Sequence, residues 1–157
     1  MKPTRLDHQE KAILAKLQAD ARISVQELSE AVGLSTSPTW RRVKSLEERG
    51  IINGYVALLD AEKLGYTQCV IAHVTLSKHE KAGIEEFERS VSQRPEVMEF
   101  LAMTGDADYL LRVLVRDTKQ YEAFLQEAVF TCASVQHIRS NFALRQIKFT
   151  VNMPLDI

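Results

Sequence analysis

The sequence predicts an α+β protein of two parts: a three-helix head over residues 1–60 and a βαββαβ body over 61–157. Three observations carry that division. Apolar residues recur at helical spacing up to Gly50, whereas strand-like and helical runs alternate after it. Capping patterns punctuate the first fifty residues. A polar connector, Asp60 to Gly65, separates the two regimes.

In the head, Asp7 with Glu10 three residues on reads as a capping box that opens the first helix. Ile13, Leu14 and Leu17 supply its buried stripe, and it ends near Ala21–Arg22. Ser24 and Glu27 repeat the box for a short second helix, whose inner face is Val25, Leu28, Ala31 and Val32. Gly33 follows where a tight turn between crossed helices needs φ > 0. Ser35 caps a third helix, Pro38 falls in its first turn, and Gly50 stops it.

Beyond the head, Ile51–Leu59 reads as a strand. In the body, Val70–Leu76, Val97–Met103, Tyr109–Val115 and Val135–Lys148 read as strands, and Ile84–Val91 and Tyr121–Val129 as helices. The order is the ferredoxin-like plan. The strands Cys69–Ala72 and Tyr109–Val115 are apolar on both alternating faces. Two helices cover only one face of a four-stranded sheet, so a second copy is expected against the other, as an obligate homodimer.

A short helix, a Gly turn, and a helix that opens with hydroxyls and continues through Arg41, Arg42 and Lys44 form a helix-turn-helix layout. With Val43 at the centre of the third helix's buried face, Leu46, Gly50 and Trp40 lie beside it, and Trp40 is expected in the core. Ser37, Pro38, Arg41 and Ser45 lie opposite. Arg41 suits a bidentate contact to guanine, and Ser37 or Ser45 reads a donor or an acceptor. Arg42 and Lys44 suit phosphates. The candidate DNA contacts are Ser35, Ser37, Thr39, Arg41, Arg42, Lys44 and Ser45. Charge is a weak guide. Net charge is -1, with nine basic against seven acidic residues in 1–50 and 11 against 14 in the rest.

The stretches LDHQEKAIL, LQADARIS, ELSEAVGLS, SPTWRRVKSLEERGII, GYVALLD, MTGDADYLLRV and NFALRQIKFT together resemble the leucine-responsive regulatory protein/asparagine regulator (Lrp/AsnC) family. The resemblance spans nearly the whole chain, with Thr39 standing where relatives often carry Cys. It implies a winged helix-turn-helix, a ferredoxin-like dimerisation domain that binds amino acids, and dimers assembled into tetramers or octamers. It implies an effector site at Thr104, Gly105, Asp106, Asp108 and Tyr109, with Asn141 and Ala143 contributed across an interface. By residue type alone, GDAD is also what a hairpin turn uses.

No local His or nucleophile partners Asp106 and Asp108 as an enzyme would need, so no catalytic residue is assigned. His8, His73, His79, His137, Cys69 and Cys132 show no metal-ligand spacing, so no metal and no cofactor is expected. A metal-sensing repressor and an architectural DNA protein without ligand control are the rival readings. No apolar run suits a membrane span and the N-terminus lacks a signal-peptide core, so the expected location is cytoplasmic. The expected function is a sequence-specific transcription regulator that binds a pseudo-palindromic double-stranded operator and answers to an amino acid.

Overall fold

The computed structural model describes residues 5–77 and 80–155. His79 lies outside them. The described chain forms two compact units, 1–58 with 148–157, and 59–147.

The first unit holds three helices, α1 (His8–Ala19), α2 (Val25–Val32) and α3 (Thr36–Glu48). Both capping boxes form. Asp7 accepts from the Glu10 N–H at 2.7 Å and Ser24 from the Glu27 N–H at 3.2 Å, and each glutamate answers its cap's own N–H. Gly33 ends α2 at φ 68°, a conformation that costs glycine nothing. Ile13, Leu14, Leu28 and Leu46 form the core, with Val43, Ile51 and Leu155 packed against it.

Three expectations fail here. Val25 and Ala31 of α2 are exposed, and Ser29 is buried beside Leu28 instead. Trp40 is 51% exposed. The buried residues of α3 are Thr39 and Leu46, so the inward stripe is centred between them, not on Val43. At about 100° per residue, Trp40 falls roughly 110° away from that centre. Ser35 stands at the N-cap of α3 without a side-chain cap bond, and Thr39 instead donates its hydroxyl to the Ser35 carbonyl at 2.9 Å.

The second unit is a sheet of order β2-β3-β1-β4, antiparallel throughout, built from β1 (Gln68–Leu76), β2 (Val97–Ala102), β3 (Tyr109–Val115) and β4 (Val135–Phe142). Helices α4 (Lys81–Ser92) and α5 (Thr118–Phe124) complete the βαββαβ order, and a π-helical turn, Leu125–Val129, extends α5. Val70, Ala72 and Val74 of β1 and Leu111, Val113 and Val115 of β3 bury one face with Phe87, Val91, Phe124 and Val129 of the helical layer. Phe87, Phe100 and Tyr109 meet ring to ring at 5.1–5.8 Å between centroids. The opposite face presents Cys69, Ile71, Leu110 and Leu114, half-buried, and Leu101, 48% exposed.

Strand length differs from expectation in two places. Ile51–Leu59 joins no ladder, and the last strand ends at Phe142 instead of Lys148. Past Ile52 in the first stretch and past Phe142 in the second, the apolar side chains stand in water, Val56 at 78% and Leu144 fully. A strand needs a hydrogen-bonding neighbour as well as β-prone residues, and none of the described residues offers one. The last residues return to the first unit instead. Gln18 clasps Met153 through two amide bonds, Met153 N–H to Gln18 Oε1 at 2.6 Å and Gln18 Nε2 to the Met153 carbonyl at 3.1 Å.

Candidate nucleic-acid interface and effector site

α3 sorts its polar residues by what lies around them. Thr39 is fully buried and its hydroxyl is bonded to its own helix, which withdraws it from any DNA-facing surface. Arg42 turns back to the Asp7 cap at 2.5 Å, and Lys44 pairs with Glu47 at 2.7 Å. Arg49 pairs with Glu10, which is nearly buried. Of these four cations on or beside α3, Arg41 is the one with no carboxylate partner among the described residues, and it stands exposed with Ser35 and Ser37. Ser45 is half-buried and shares a shallow groove with Pro38, Arg41 and Arg42. The carboxylates answer the cations. The Glu10 N–H first, and then Arg42, hold the Asp7 carboxyl below its usual range. Lys44 and the Tyr55 phenol do the same for Glu47.

The expected effector residues do not gather at one place within a single chain. Thr104, Gly105 and Asp106 are exposed on the β2–β3 loop, where Gly105 takes φ 112°. Asp108 anchors the loop. It receives the Leu76 N–H on Oδ2 at 2.7 Å, and its own N–H donates to the Val74 carbonyl at 3.0 Å. The β1–β3 ladder ends at Val74 opposite Tyr109, so Leu76 lies past its last rung and the carboxylate takes a donor that no β3 carbonyl meets. Tyr109 points the other way, under α4, and donates to Glu88 at 2.9 Å. Burial, with the Glu88 carboxylate beside it, pushes its phenol up to about 12. Its ring closes one side of an open groove of about 520 Å³ with Glu85, Glu88, Arg89, Ser92, Phe100 and Ala102, none of which the sequence pattern singled out. Asn141 sits opposite Ile71, four residues along β1 from Thr75, which donates to the Asp106 carbonyl at 3.4 Å. At about 3.3 Å per residue that is roughly 13 Å along the strand. Ala143 lies further still, its N–H on the Cys69 carbonyl.

Among the described residues no three His, Cys, Asp or Glu side chains come together to hold a metal, and no helix is long and apolar enough to cross a membrane.

Residues 6–53 match the winged helix-turn-helix DNA-binding model, and residues 69–153 match the Lrp/AsnC ligand binding domain. The chain belongs to the Lrp/AsnC family. Among curated Lrp/AsnC-type relatives, the DNA-binding transcriptional activator DecR of Escherichia coli is 40% identical over 96% of this chain and 99% of its own length. The Bkd operon transcriptional regulator of Pseudomonas aeruginosa is 41% identical over 96% and 98%. A transcriptional regulator from Neisseria meningitidis, solved as its L-Met complex, superposes with a TM-score of 0.92 at 37% identity, covering 97% of this chain and 98% of that one. An AsnC family regulator from Agrobacterium tumefaciens gives 0.91 at 40%, over 96% and 98%. This chain is therefore a DNA-binding transcriptional regulator with a winged helix-turn-helix head and an α+β ligand-binding body.

Proposed function

We propose that this regulator is a cytoplasmic homodimer that reads a pseudo-palindromic operator with two copies of α3 and answers to an α-amino acid bound in the body. The observation that carries the DNA-reading part is the unpaired Arg41. Its guanidinium is aimed outward beside Ser37, while Arg42, Lys44 and Arg49 are tied to carboxylates of the same unit. A free guanidinium on the exposed face of a recognition helix suits guanine O6 and N7, and the tethered Arg42 and Lys44 suit phosphate.

The dimer follows from unmet bonding. Residues 53–60 and 143–151 lie outside any helix or ladder with their apolar side chains in water, and the sheet's second face carries Ile71, Leu101, Leu110 and Leu114. A second copy satisfies backbone and side chains together. For the effector, the L-Met bound to the Neisseria relative gives the chemical class, and the Thr104–Asp108 loop gives the carboxylates and N–H groups that suit the two ends of an α-amino acid. Asn141 and Ala143 lie too far along β4 to join that loop in their own chain, so they complete a site only from a neighbouring copy, in a tetramer or octamer of dimers. The amino acid acts by preferring one assembly over another.

The experiment is a gel shift on a duplex that the protein selects from a randomised pool, repeated with each of the common amino acids. Sedimentation of the same samples runs alongside. An amino acid that shifts both DNA affinity and particle size supports the reading. Selective duplex binding that no amino acid alters favours the architectural role.

A further inference from the structure

Trp40 is the single tryptophan of the chain, and about half of its surface is in water. It makes no hydrogen bond or ring contact among the described residues. Its exposure follows from the packing of α3, whose inward stripe runs through Thr39 and Leu46. The indole therefore emerges on the flank of the face that carries Ser37 and Arg41, one residue before Arg41. Long helical side chains lean toward the N-terminus of their helix, which in a recognition helix is the end that contacts base edges. The indole is thus continuous with the surface that DNA covers.

The chemistry narrows what it meets there. Indole is a broad apolar plate with a single donor. Base edges in the major groove offer donors and acceptors, and one apolar group, the thymine 5-methyl. We propose that Trp40 is a specificity residue that packs on a thymine 5-methyl group next to the base pair read by Arg41.

The test uses the full-length protein, a duplex it has selected from a randomised pool, and an unrelated duplex of equal length. Because Trp40 is the sole tryptophan, intrinsic fluorescence reports on this side chain alone. The selected duplex is expected to shift its emission and to shield it from acrylamide. Deoxyuridine is then placed at each thymidine in turn. At one position per half-site, loss of the methyl is expected to weaken wild type about fourfold, the worth of one buried methyl-sized group. Trp40→Ala is expected to be indifferent to that change. Trp40→Phe, which keeps an aromatic face, is expected to retain the sensitivity, and it serves as the readout where the alanine variant does not fold. An indole equally open to acrylamide in free and DNA-bound protein overturns the proposal. So does a variant series in which no thymidine distinguishes wild type from Trp40→Ala, because the ring then packs on sugar or on protein.

Discussion

Asp108 does two jobs on this reading, and two substitutions separate them. Its Oδ2 takes the Leu76 N–H at 2.7 Å, past the last rung of the β1–β3 ladder, where that donor has no regular ladder partner. Leu76 is buried to 3% exposure, so water is a poor substitute. Asp108→Ala strands the donor and is expected to cost about 1.5–3 kcal/mol, the range for a hydrogen bond to a charged group. Asp108→Asn keeps an acceptor oxygen in the same place but removes the charge. It is expected to lose about half as much, since neutral bonds are roughly half as strong. Effector response follows a different rule. If the carboxylate holds the ammonium of an amino acid, Asn and Ala lose the response alike. Typical coupling energies of about 1–3 kcal/mol correspond to roughly 5–150-fold in DNA affinity, and that shift is expected to collapse toward one. The assay is DNA affinity with and without amino acid at one salt concentration, because phosphate contacts make affinity salt-dependent. Urea midpoints for the three proteins run beside it. An asparagine variant that keeps the full shift refutes the ammonium contact. An alanine variant as stable as wild type refutes the loop anchor.

Arg41→Ala is expected to lower selected-duplex affinity by about 1–3 kcal/mol per half-site while random-duplex affinity changes little. Equal losses on both duplexes, measured by gel shift, place Arg41 on phosphate alone. Asp7→Ala removes the α1 cap and is expected to cost about 1 kcal/mol at neutral pH. Because the folded Asp7 carboxyl sits below its usual range, that stability is present above an unfolded value of about 3.9 and is lost as pH falls through the lower folded one. The urea-midpoint gap between variant and wild type is therefore expected to close in acid. Val56→Lys, on the exposed stretch that joins no ladder, is expected to shift sedimentation toward monomer without unfolding either unit. A dimer unchanged at micromolar concentration removes that stretch from the interface.

What the sequence made legible was mostly local. Asp7 with Glu10, Ser24 with Glu27, and Gly33 each act within four residues, so pattern alone found them. Trp40 was missed because Thr39 is buried despite its hydroxyl. By bonding to a carbonyl of its own helix, it becomes an apolar filler that no hydropathy pattern marks. The overlong final strand has a related cause. β-prone alternation persists past Phe142, but a strand ends where its neighbour does, and the neighbour is not in the sequence window. The pairing of Asp108 with Leu76, 32 residues apart, and the turning of Tyr109 under α4 are tertiary facts that a GDAD turn does not announce.

The pairing of cations in the head also reconciles a net charge of -1 with DNA binding. Were all four cations of the α3 region free, each would be open to any phosphate. Instead, Asp7 and Glu47 hold Arg42 and Lys44 in pairs that are largely solvent-exposed. Such pairs are worth about 0–1 kcal/mol, little enough for a phosphate to displace the carboxylate. The Arg49 pair is a different case, because Glu10 is nearly buried and a phosphate cannot reach it without unpacking α1. On the proposed reading, α3 meets random DNA with three of the four cations on or beside it paired, and Arg42 and Lys44 trade carboxylate for phosphate once Arg41 has found its base. On that reading, sequence preference comes from Arg41 and the surface beside it, and Arg42 and Lys44 add affinity only after that register is set.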